Sequence, residues 1–519
     1  MWSGHWRDWT RWVIGTAVLV TGQPVLGDDA PAEPDPIEQS QYSVASPAAA
    51  PKPAPAPKPF SPQMFDNNFS YKQDPDHDYI LGEELKDMPL GMLTGRPIFD
   101  GITVSTGGEL RFRYIDEVNR LRPGGPGDSS YDQWRWRHYI DVRASDWIRA
   151  YIEMIDGSTN HADLPLQGID KNRWDLQNYF ADIRLPSVTD DPFYFRVGRQ
   201  ELLYGSQRLV STLDWSNIRR NFEGLKVFTR QDTWDFDAFI VNPVNTATPS
   251  QRTVAQLDNS FDTRNSEYLF GGAYISYRGF ESNTLDFFFF GSSLDVLTGA
   301  LPFGERYTIG MRWLGSRPIC DGSHVLHAEV EGGYQFGNDR SALYDAGSPR
   351  GDVQAGYVTL GVGHTWKSMK WQPSLWWFWD WASGDDDPTD GQNNTFFQYF
   401  GFVHAYLGLI DNIARQNISD VNVRWQLKPA EPILLTFAHH WFRLANDNDV
   451  LYNVTGTAVG TPGNGTDVGH EFDIMATYTV TPNWSLEAGY FWFWYGDYID
   501  ATAPRDDAQQ VYIMTTLRY

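Results

Sequence analysis

The sequence predicts an all-β fold: a transmembrane antiparallel β-barrel of 18 strands that follows a signal peptide and a Pro/Ala-rich linker. Apolar and polar residues alternate in stretch after stretch, 15% of the chain is aromatic, and the last alternating stretch ends on Tyr519. Such alternation is the period of a strand with two different faces. Transmembrane barrels carry girdles of aromatic residues at both membrane interfaces, which accounts for the aromatic surplus.

The C-terminal stretch shows the alternation most clearly. One face carries Val511, Ile513, Leu517 and Tyr519, and the other carries Tyr512, Met514, Thr516 and Arg518. A terminal aromatic residue after apolar residues at every second position resembles the closing strand of a bacterial outer-membrane barrel. An edge strand of a soluble β protein would show the same pattern, so the rest of the chain has to decide.

The first 62 residues precede the predicted barrel. Residues 1–27 have the pattern of an export signal, with Arg7 and Arg11 beside an apolar stretch from Trp12 to Val20. That stretch is too short to span a bilayer, which takes about 20 residues. Residues 28–62 are rich in Pro and Ala and predict an extended spacer, because such a composition cannot build a core. Residues 63–519 are then one barrel domain.

Strand-like stretches follow one another through this domain. We predict strands at 103–117, 133–143, 147–156, 174–185, 194–200, 222–230, 234–241, 268–278, 284–292, 306–314, 326–336, 353–366, 370–382, 417–427, 433–443, 470–479, 485–495 and 509–519. Their even number and their lengths suit tilted strands that cross a membrane.

The alternation alone does not separate a membrane barrel from a soluble β-sandwich, such as a lectin, because both have a period of two. The signal peptide, the aromatic surplus and the terminal aromatic residue together favour the bacterial outer membrane. Backbone groups in hydrocarbon must all be hydrogen-bonded, so only a closed barrel satisfies strands there. A mean hydropathy of -0.45 fits strands with one lipid-facing and one water-facing side.

The net charge of -25 argues against nucleic acid as a partner. Part of this charge lies in an acidic loop cluster, Asp385, Asp386, Asp387 and Asp390. These carboxylates lack the ordered spacing of a calcium-binding loop, and a solvated loop is favoured over a calcium site. No metal and no cofactor is predicted. The single cysteine, Cys320, excludes an intramolecular disulfide.

If large apolar residues face lipid, the opposite phase of each strand faces the lumen. On the first six strands that phase is mostly basic, with four acids in it, Glu109, Asp141, Glu153 and Asp182. The cations, to which the last strand adds Arg518, are Arg111, Arg113, Arg135, Arg137, Arg143, Arg149, Arg184, Arg196 and Lys226. On later strands the same phase is mostly acidic, with Arg312 and Arg424 as exceptions. We therefore expect one positive wall and an opposite negative wall. Two interpretations stay open: a guanidinium ladder that binds carboxylates or phosphates, or lumen residues that pair with one another.

Linked motifs resemble the alginate export family of outer-membrane porins, from about residue 66 to the end. The motifs are Asp66-Asn67-Asn68-Phe69-Ser70-Tyr71, Met88-Pro89-Leu90-Gly91, Gly107-Gly108-Glu109-Leu110-Arg111, Phe195-Arg196-Val197-Gly198-Arg199-Gln200-Glu201-Leu202-Leu203-Tyr204-Gly205, Asn217-Ile218-Arg219-Arg220-Asn221-Phe222-Glu223-Gly224, Ser383-Gly384-Asp385-Asp386-Asp387-Pro388 and His404-Ala405-Tyr406-Leu407-Gly408. The resemblance implies an 18-stranded barrel that passes an anionic polyuronate through an arginine-lined constriction. It adds Arg199 to the lumen candidates and draws attention to Arg208, Arg219 and Arg220. Arg199 is out of phase with Arg196, so a bulge or a strand end would be needed for both to reach the pore.

The predicted function is a passive, non-enzymatic conduit for an anionic saccharide or a small organic acid. Its partners are this cargo and outer-membrane lipid, with periplasmic export or cell-wall proteins as further partners. Loops 243–265, 383–416 and 444–469 are expected to narrow or gate the pore. The inward aromatic residues Trp376, Phe378, Phe491 and Phe493 are interpreted as interface girdle, with stacking on sugar rings as the alternative.

Two other functions remain open. A general diffusion porin without saccharide preference would conduct without being blocked by polyuronates. An outer-membrane barrel enzyme would turn over a lipid or an ester, with a Ser, a His and an acid far apart in sequence.

Overall fold

The computed structural model describes residues 59–186, 191–246, 261–294, 303–340 and 351–519. The predicted signal peptide, the predicted linker up to residue 58 and most of loop 243–265 lie outside these residues and stay predictions.

The architecture is a barrel of long strands. Its strands are β1 (Ile102–Val118), β2 (Asp128–Ala144), β3 (Ile148–Asn160), β4 (Asn172–Leu185), β5 (Phe193–Gln200), β6 (Phe222–Arg230), β7 (Trp234–Asn245), β8 (Tyr268–Phe280), β9 (Asn283–Leu294), β10 (Phe303–Ile319), β11 (His324–Arg340), β12 (Gly351–Trp366), β13 (Ser374–Ala382), β14 (Ile418–Ala430), β15 (Ile433–Arg443), β16 (Asp467–Thr481), β17 (Trp484–Tyr495) and β18 (Ala508–Arg518).

Shorter elements lie between these strands. They are the helices α1 (Leu90–Thr94) and α2 (Asp497–Thr502), 3-10 turns at Met64–Asp66, Ser70–Gln73, Glu83–Leu85, Pro97–Phe99 and Val403–Ala405, and two-residue strands at Met88–Pro89, Thr263–Arg264, Gln392–Asn393, Leu451–Tyr452 and Ala458–Val459. Within the described ranges, no helix has the length and apolar character needed to cross a membrane.

The barrel is closed. Each strand pairs antiparallel with its neighbour in sequence, and β18 pairs with β1, where Arg518 lies opposite Glu109. The predicted 18-stranded closed barrel is therefore confirmed. One predicted strand, 370–382, begins later, at Ser374, because Trp371 and Gln372 have positive φ angles and belong to a turn.

The two strand faces meet different surroundings, as the alternation predicts. Large apolar side chains are exposed on the outer face, among them Trp134 at 52% and Val362 at 61%. The neighbouring inward side chains are buried, including Arg135 at 1% and Glu153 at 0%. A lipid-facing apolar band around a polar interior follows from this pattern.

The two barrel ends differ in the length of their connections. Short turns such as 145–147, 281–282, 431–432 and 482–483 lie at one end, and long loops lie at the other. In outer-membrane barrels the short turns are periplasmic. The N-terminal segment (residues 59–101) and the C-terminus lie at this periplasmic end, because Met88 and Pro89 pair with the start of β1.

Residues 80–89 of the N-terminal segment, hereafter the strap, cross the seam between β1 and β18. Leu81 exchanges two hydrogen bonds with the side chain of Asn483. The Lys86 Nζ donates to the backbone carbonyl oxygen of Tyr519 at 3.2 Å. Gly82 has a φ of 84° and lies so close to the Tyr519 backbone that a side chain would not fit there. The strap therefore joins the start of β1 to the end of β18 and to the turn before β17.

Two extracellular loops fold into the barrel and form its core. They are the first lumen loop (residues 201–221) and the second lumen loop (residues 383–417). Val210 of the first forms a parallel bridge with Phe400 of the second, and both residues belong to a large buried apolar cluster with inward aromatic residues such as Phe270. The core of this protein thus lies inside the barrel.

Candidate functional site

Arginines of β1 and β2 form one inward wall, hereafter the arginine wall. Arg111 lies directly opposite Arg135 in the strand register, and Arg137 lies opposite Glu109. The two-residue period brings Arg111 and Arg113, like Arg135 and Arg137, to one face. All four predicted arginines are buried, with exposures of 1–4%.

Two of these arginines bind the backbone of the first lumen loop. Arg111 donates to the carbonyl oxygens of Asp214 and Ser216, both at 2.6 Å. Arg113 donates to the carbonyl oxygen of Trp215 at 2.6 Å, and its guanidinium lies 4.1 Å from the centre of the Trp215 ring. Between them, Arg111 and Arg113 therefore position three consecutive loop residues.

The other arginines of the wall are paired with carboxylates. Arg135 contacts Glu109 at 2.6 Å and Asp214 at 2.8 Å. Arg137 contacts Glu153 at 2.6 Å. Such charge-assisted pairs are the stronger class of protein hydrogen bond. They support the interpretation in which lumen residues pair with one another at these positions.

Arg219 fastens the end of the first lumen loop. Its Nε and Nη2 atoms form a bidentate pair with Glu201 at 2.7 and 2.8 Å, and its Nη1 atom contacts Asp214. Glu201 is fully buried at the start of the loop. The pair therefore holds the two ends of the loop together.

Further cations around the lumen are also paired. The pairs are Arg196 with Asp182 at 2.6 Å, Lys226 with Asp237 at 3.2 Å, Arg312 with Asp286 at 3.1 Å, and Arg208 with Glu329 and Glu331 at 2.5 and 2.8 Å. Two buried arginines that the sequence reasoning missed belong with them: Arg306 contacts Asp339 at 2.7 Å, and Arg415 contacts Asp380. Arg306 lies on the same face of β10 as Thr308 and Arg312, so the alternation in the sequence could have identified it as an inward residue.

Four predicted lumen candidates lie at the margins. Arg143 is about half exposed and contacts Asp141. Arg184 lies near the periplasmic end with its guanidinium 5.3 Å from the centre of the Trp147 ring. Arg518 contacts Glu109 at 3.3 Å, and Arg424 donates to the carbonyl oxygen of Ala405 at 2.9 Å. Only the last of these reaches a lumen loop.

Arg199 lies opposite Tyr179 in the register, one residue out of phase with the inward Phe180. It is nevertheless only 3% exposed. Its guanidinium donates to the carbonyl oxygen of Asp262 at 2.6 Å and contacts Glu223 at 3.4 Å and the buried Asp175 at 3.9 Å. Arg199 is therefore paired with carboxylates at the extracellular end of β5, and its role in the lumen stays a prediction.

The acidic residues are distributed differently from the predicted opposite wall. The acids of β9, β11 and β13, which face the arginine wall across the barrel, are paired with Arg312, Arg208 and Arg415. A second group of acids, the buried Asp420, Glu471 and Asp473 and the half-buried Glu487, lies on β14, β16 and β17. β17 is separated from β1 by β18 alone, and β16 by β17 and β18. This second group of acids therefore lies beside the arginine wall rather than opposite it.

The acidic loop cluster is divided between the surface and the interior. Asp386, Asp387 and Asp390 are exposed, whereas Asp385 is buried and donates its backbone N–H to Asp449 at 3.0 Å. Asp449 also accepts from the Thr395 hydroxyl at 2.6 Å, and burial raises its pKa. In the ranges that the structure describes, no three His, Cys, Asp or Glu side chains converge as metal ligands would. The cluster ties loop 444–466 to the second lumen loop.

Eighteen antiparallel strands closed into a ring, a lipid-facing apolar surface and loops folded into the lumen define an outer-membrane β-barrel porin, located in the bacterial outer membrane. The chain belongs to the alginate export family, whose sequence pattern, described as "Alginate export", matches residues 102–512. The expected family membership is therefore confirmed.

Solved structures support the fold. The barrel is similar to OccK8 (OprE) of Pseudomonas aeruginosa, with a TM-score of 0.53 and 12% identity over 80% of this chain and 98% of that one. It is also similar to OpdK of Pseudomonas aeruginosa, solved with vanillate, with a TM-score of 0.51 and 11% identity over 80% and 98% of the two chains. No curated protein matches the sequence.

Proposed function

We propose that this porin passes acidic saccharides of the polyuronate type across the outer membrane, without catalysis. The observation that carries the proposal is the way Arg111 and Arg113 are bound. Both guanidinium groups are buried, and both donate to backbone carbonyl oxygens of the first lumen loop. Within the described part of the chain neither forms an ion pair, so both positive charges have neutral acceptors.

A carboxylate is a better acceptor than a carbonyl oxygen for a guanidinium group, because the hydrogen bond then joins opposite charges. A uronate that reaches the arginine wall would compete with the carbonyls of Asp214, Trp215 and Ser216. The displaced loop would widen the passage as the cargo binds. Each contact is modest, as a conduit requires, since tight binding at one site would stop the flux.

The lumen loops favour a selective porin over a general diffusion porin. The first and second lumen loops are buried against each other, with the Phe400 N–H donating to the Leu209 carbonyl at 2.9 Å and the Phe402 N–H to the Gln207 carbonyl at 2.9 Å. A core of this kind restricts free passage of neutral solutes. A small organic acid is the second candidate cargo, because OpdK, which shares the fold, was solved with vanillate.

The proposal is tested by single-channel recordings of the refolded protein in a planar bilayer. We expect anion selectivity and block by hexamannuronate, and much weaker block by the neutral maltohexaose. Arg111→Gln combined with Arg113→Gln should weaken the block by about tenfold, equivalent to about 1.4 kcal/mol.

Arg173→Gln is the matched control, because Arg173 is an exposed arginine paired with Asp156 on the outer face. Its block should equal that of the wild type. Equal block by the two hexasaccharides would reduce the function to general diffusion. Turnover of hexamannuronate by the purified protein would replace the conduit with an enzyme.

A further inference from the structure

Three inward aromatic side chains on neighbouring strands form a ladder in the periplasmic half of the lumen. They are Tyr139 on β2, Tyr151 on β3 and Phe180 on β4, and each is at most 5% exposed. The rings of Tyr139 and Tyr151 stack at 5.6 Å with planes 20° apart, and those of Tyr151 and Phe180 at 5.1 Å with planes 17° apart. This aromatic ladder lies outside the arginine wall.

Two guanidinium groups flank the ladder. Arg196 lies 3.7 Å from the centre of the Phe180 ring, and Arg149 lies 5.4 Å from that of Tyr151. Arg149 uses its Nε atom for Asp141 at 2.8 Å, and its Nη2 atom also donates to the Phe65 carbonyl. The surface therefore combines flat apolar rings with donors for oxygen atoms.

The chain itself covers this surface with residues 59–68, hereafter the inserted segment. Phe65 packs edge-to-face on Tyr151 at 5.8 Å and on Phe180 at 5.2 Å. Its carbonyl oxygen accepts from Arg149 at 2.5 Å, and the Pro62 carbonyl accepts from Arg219 at 2.8 Å. The inserted segment thus presents an apolar ring to the ladder and carbonyl oxygens to the arginines.

A cavity of about 490 Å³ continues from the covered ladder between the N-terminal segment and the barrel wall. Phe65 and Tyr139 line it on the ladder side, and Asn67, Lys72 and Arg143 supply amide and cationic groups further out. Cavities of about 300–1,000 Å³ hold small-molecule ligands in proteins. A ligand in this cavity would lie beside the covered ladder, next to Phe65.

We propose that Tyr139, Tyr151 and Phe180, with Arg149 and Arg196, form a saccharide subsite that the inserted segment occupies until cargo displaces it. The subsite rests on the proposed function in its ligand, an acidic saccharide. Pyranose rings have apolar C–H faces that pack on aromatic rings, while their hydroxyl and carboxylate oxygens accept from guanidinium groups. Phe65 and the carbonyl oxygens of the inserted segment imitate both features.

The inserted segment lowers the apparent affinity of the subsite, because only the fraction of molecules with the segment released binds the saccharide. Removing the segment raises that fraction to one. Deletion of residues 59–68 is therefore expected to tighten binding of hexamannuronate by at least about tenfold, measured by calorimetry on the purified barrel. Phe65→Ala should tighten it in the same direction with the chain length unchanged, which excludes an effect of shortening the chain.

The ladder is tested on the deletion background. Tyr151→Leu should reverse the gain, because it removes the middle ring of the ladder. Phe289→Leu is the matched control, since Phe289 also stacks on an aromatic neighbour, Tyr307 at 6.2 Å, but lies exposed on the outer face. Equal affinity in the wild type, the deletion and Phe65→Ala would overturn the proposal, as would an equal loss in the two leucine variants.

The binding measurements on the deletion and leucine variants can succeed or fail independently of the conductance test of the proposed function. If the wild-type pore shows no anion selectivity but the deletion gains binding through Tyr151, the subsite stands and the proposed cargo pathway fails. If the pore is selective but the deletion gains nothing, the pathway stands and the subsite fails.

Discussion

The bidentate pair between Arg219 and Glu201 offers the sharpest test of how the first lumen loop is held. Arg219→Leu removes the contacts at 2.7 and 2.8 Å and leaves the fully buried Glu201 with the Gln177 amide at 3.1 Å and Arg137 at 3.5 Å. Removing one partner of a buried ion pair costs about 3–5 kcal/mol. If opening of the first lumen loop relieves this free-energy cost, the fraction of channels with the loop open rises roughly a hundredfold to several thousandfold.

The assay is the current noise of single channels, because the strands keep their hydrogen bonds and the barrel stays folded. We expect Arg219→Leu to show frequent transitions between conductance levels that are rare in the wild type. The double variant Arg219→Leu with Glu201→Leu leaves no unpaired charge, and an apolar pair replaces a buried ion pair at little or no cost. It should return the channel to quiet conduction.

Two results would refute this reasoning. Quiet channels in the single variant would show that the Glu201 carboxylate needs no partner in the loop. Equal noise in the single and double variants would show that the lost volume of Arg219, rather than the unpaired charge of Glu201, opens the loop.

Three further results are expected from other parts of the barrel. Burial lowers the pKa of Lys86 to about 8, so the docked strap binds a proton less tightly than the free strap does. Docking of the strap should therefore strengthen as the pH rises from about 8 to about 10, and protection of the strap from protease measures it. Val362→Arg on the lipid face should cost about 2–4 kcal/mol of unfolding free energy in vesicles, whereas Asp386→Arg in an exposed loop should cost almost nothing. Gly469→Ala should cost about 1–3 kcal/mol in the same measurement, because Gly469 has a φ of +128° and a side chain there would collide with the Trp494 carbonyl.

The strand order and the facing of most charged residues were predictable because a period of two is a local property. Arg111 and Arg135 each lie between large apolar residues, which indicates that both arginines face the lumen. The number of strands follows from counting the stretches in which apolar and polar residues alternate. The chain also carries motifs of the alginate export family, so the alternation and the motifs predicted the barrel independently. Nothing in this required knowledge of contacts between distant residues.

The partners inside the lumen were not predictable, because they depend on where loops fold. Arg111 binds carbonyl oxygens more than 100 residues away, and carbonyls carry no sequence signal. The same holds for the inserted segment, whose contact residues Pro62 and Phe65 lie at the boundary between the predicted linker and the predicted barrel. The sequence shows which side chains face inward, whereas only the packed structure shows which acceptors they meet.

The strap has a consequence for the order of events in biogenesis. Its acceptors, Asn483 in the turn before β17 and the backbone carbonyl of Tyr519 after β18, follow the strap in the chain by 402 and 433 residues. A segment that precedes β1 can therefore dock only after β17 and β18 have joined the barrel. The strap acts as a latch that closes once β18 is in place, and a barrel without that strand would leave the latch open.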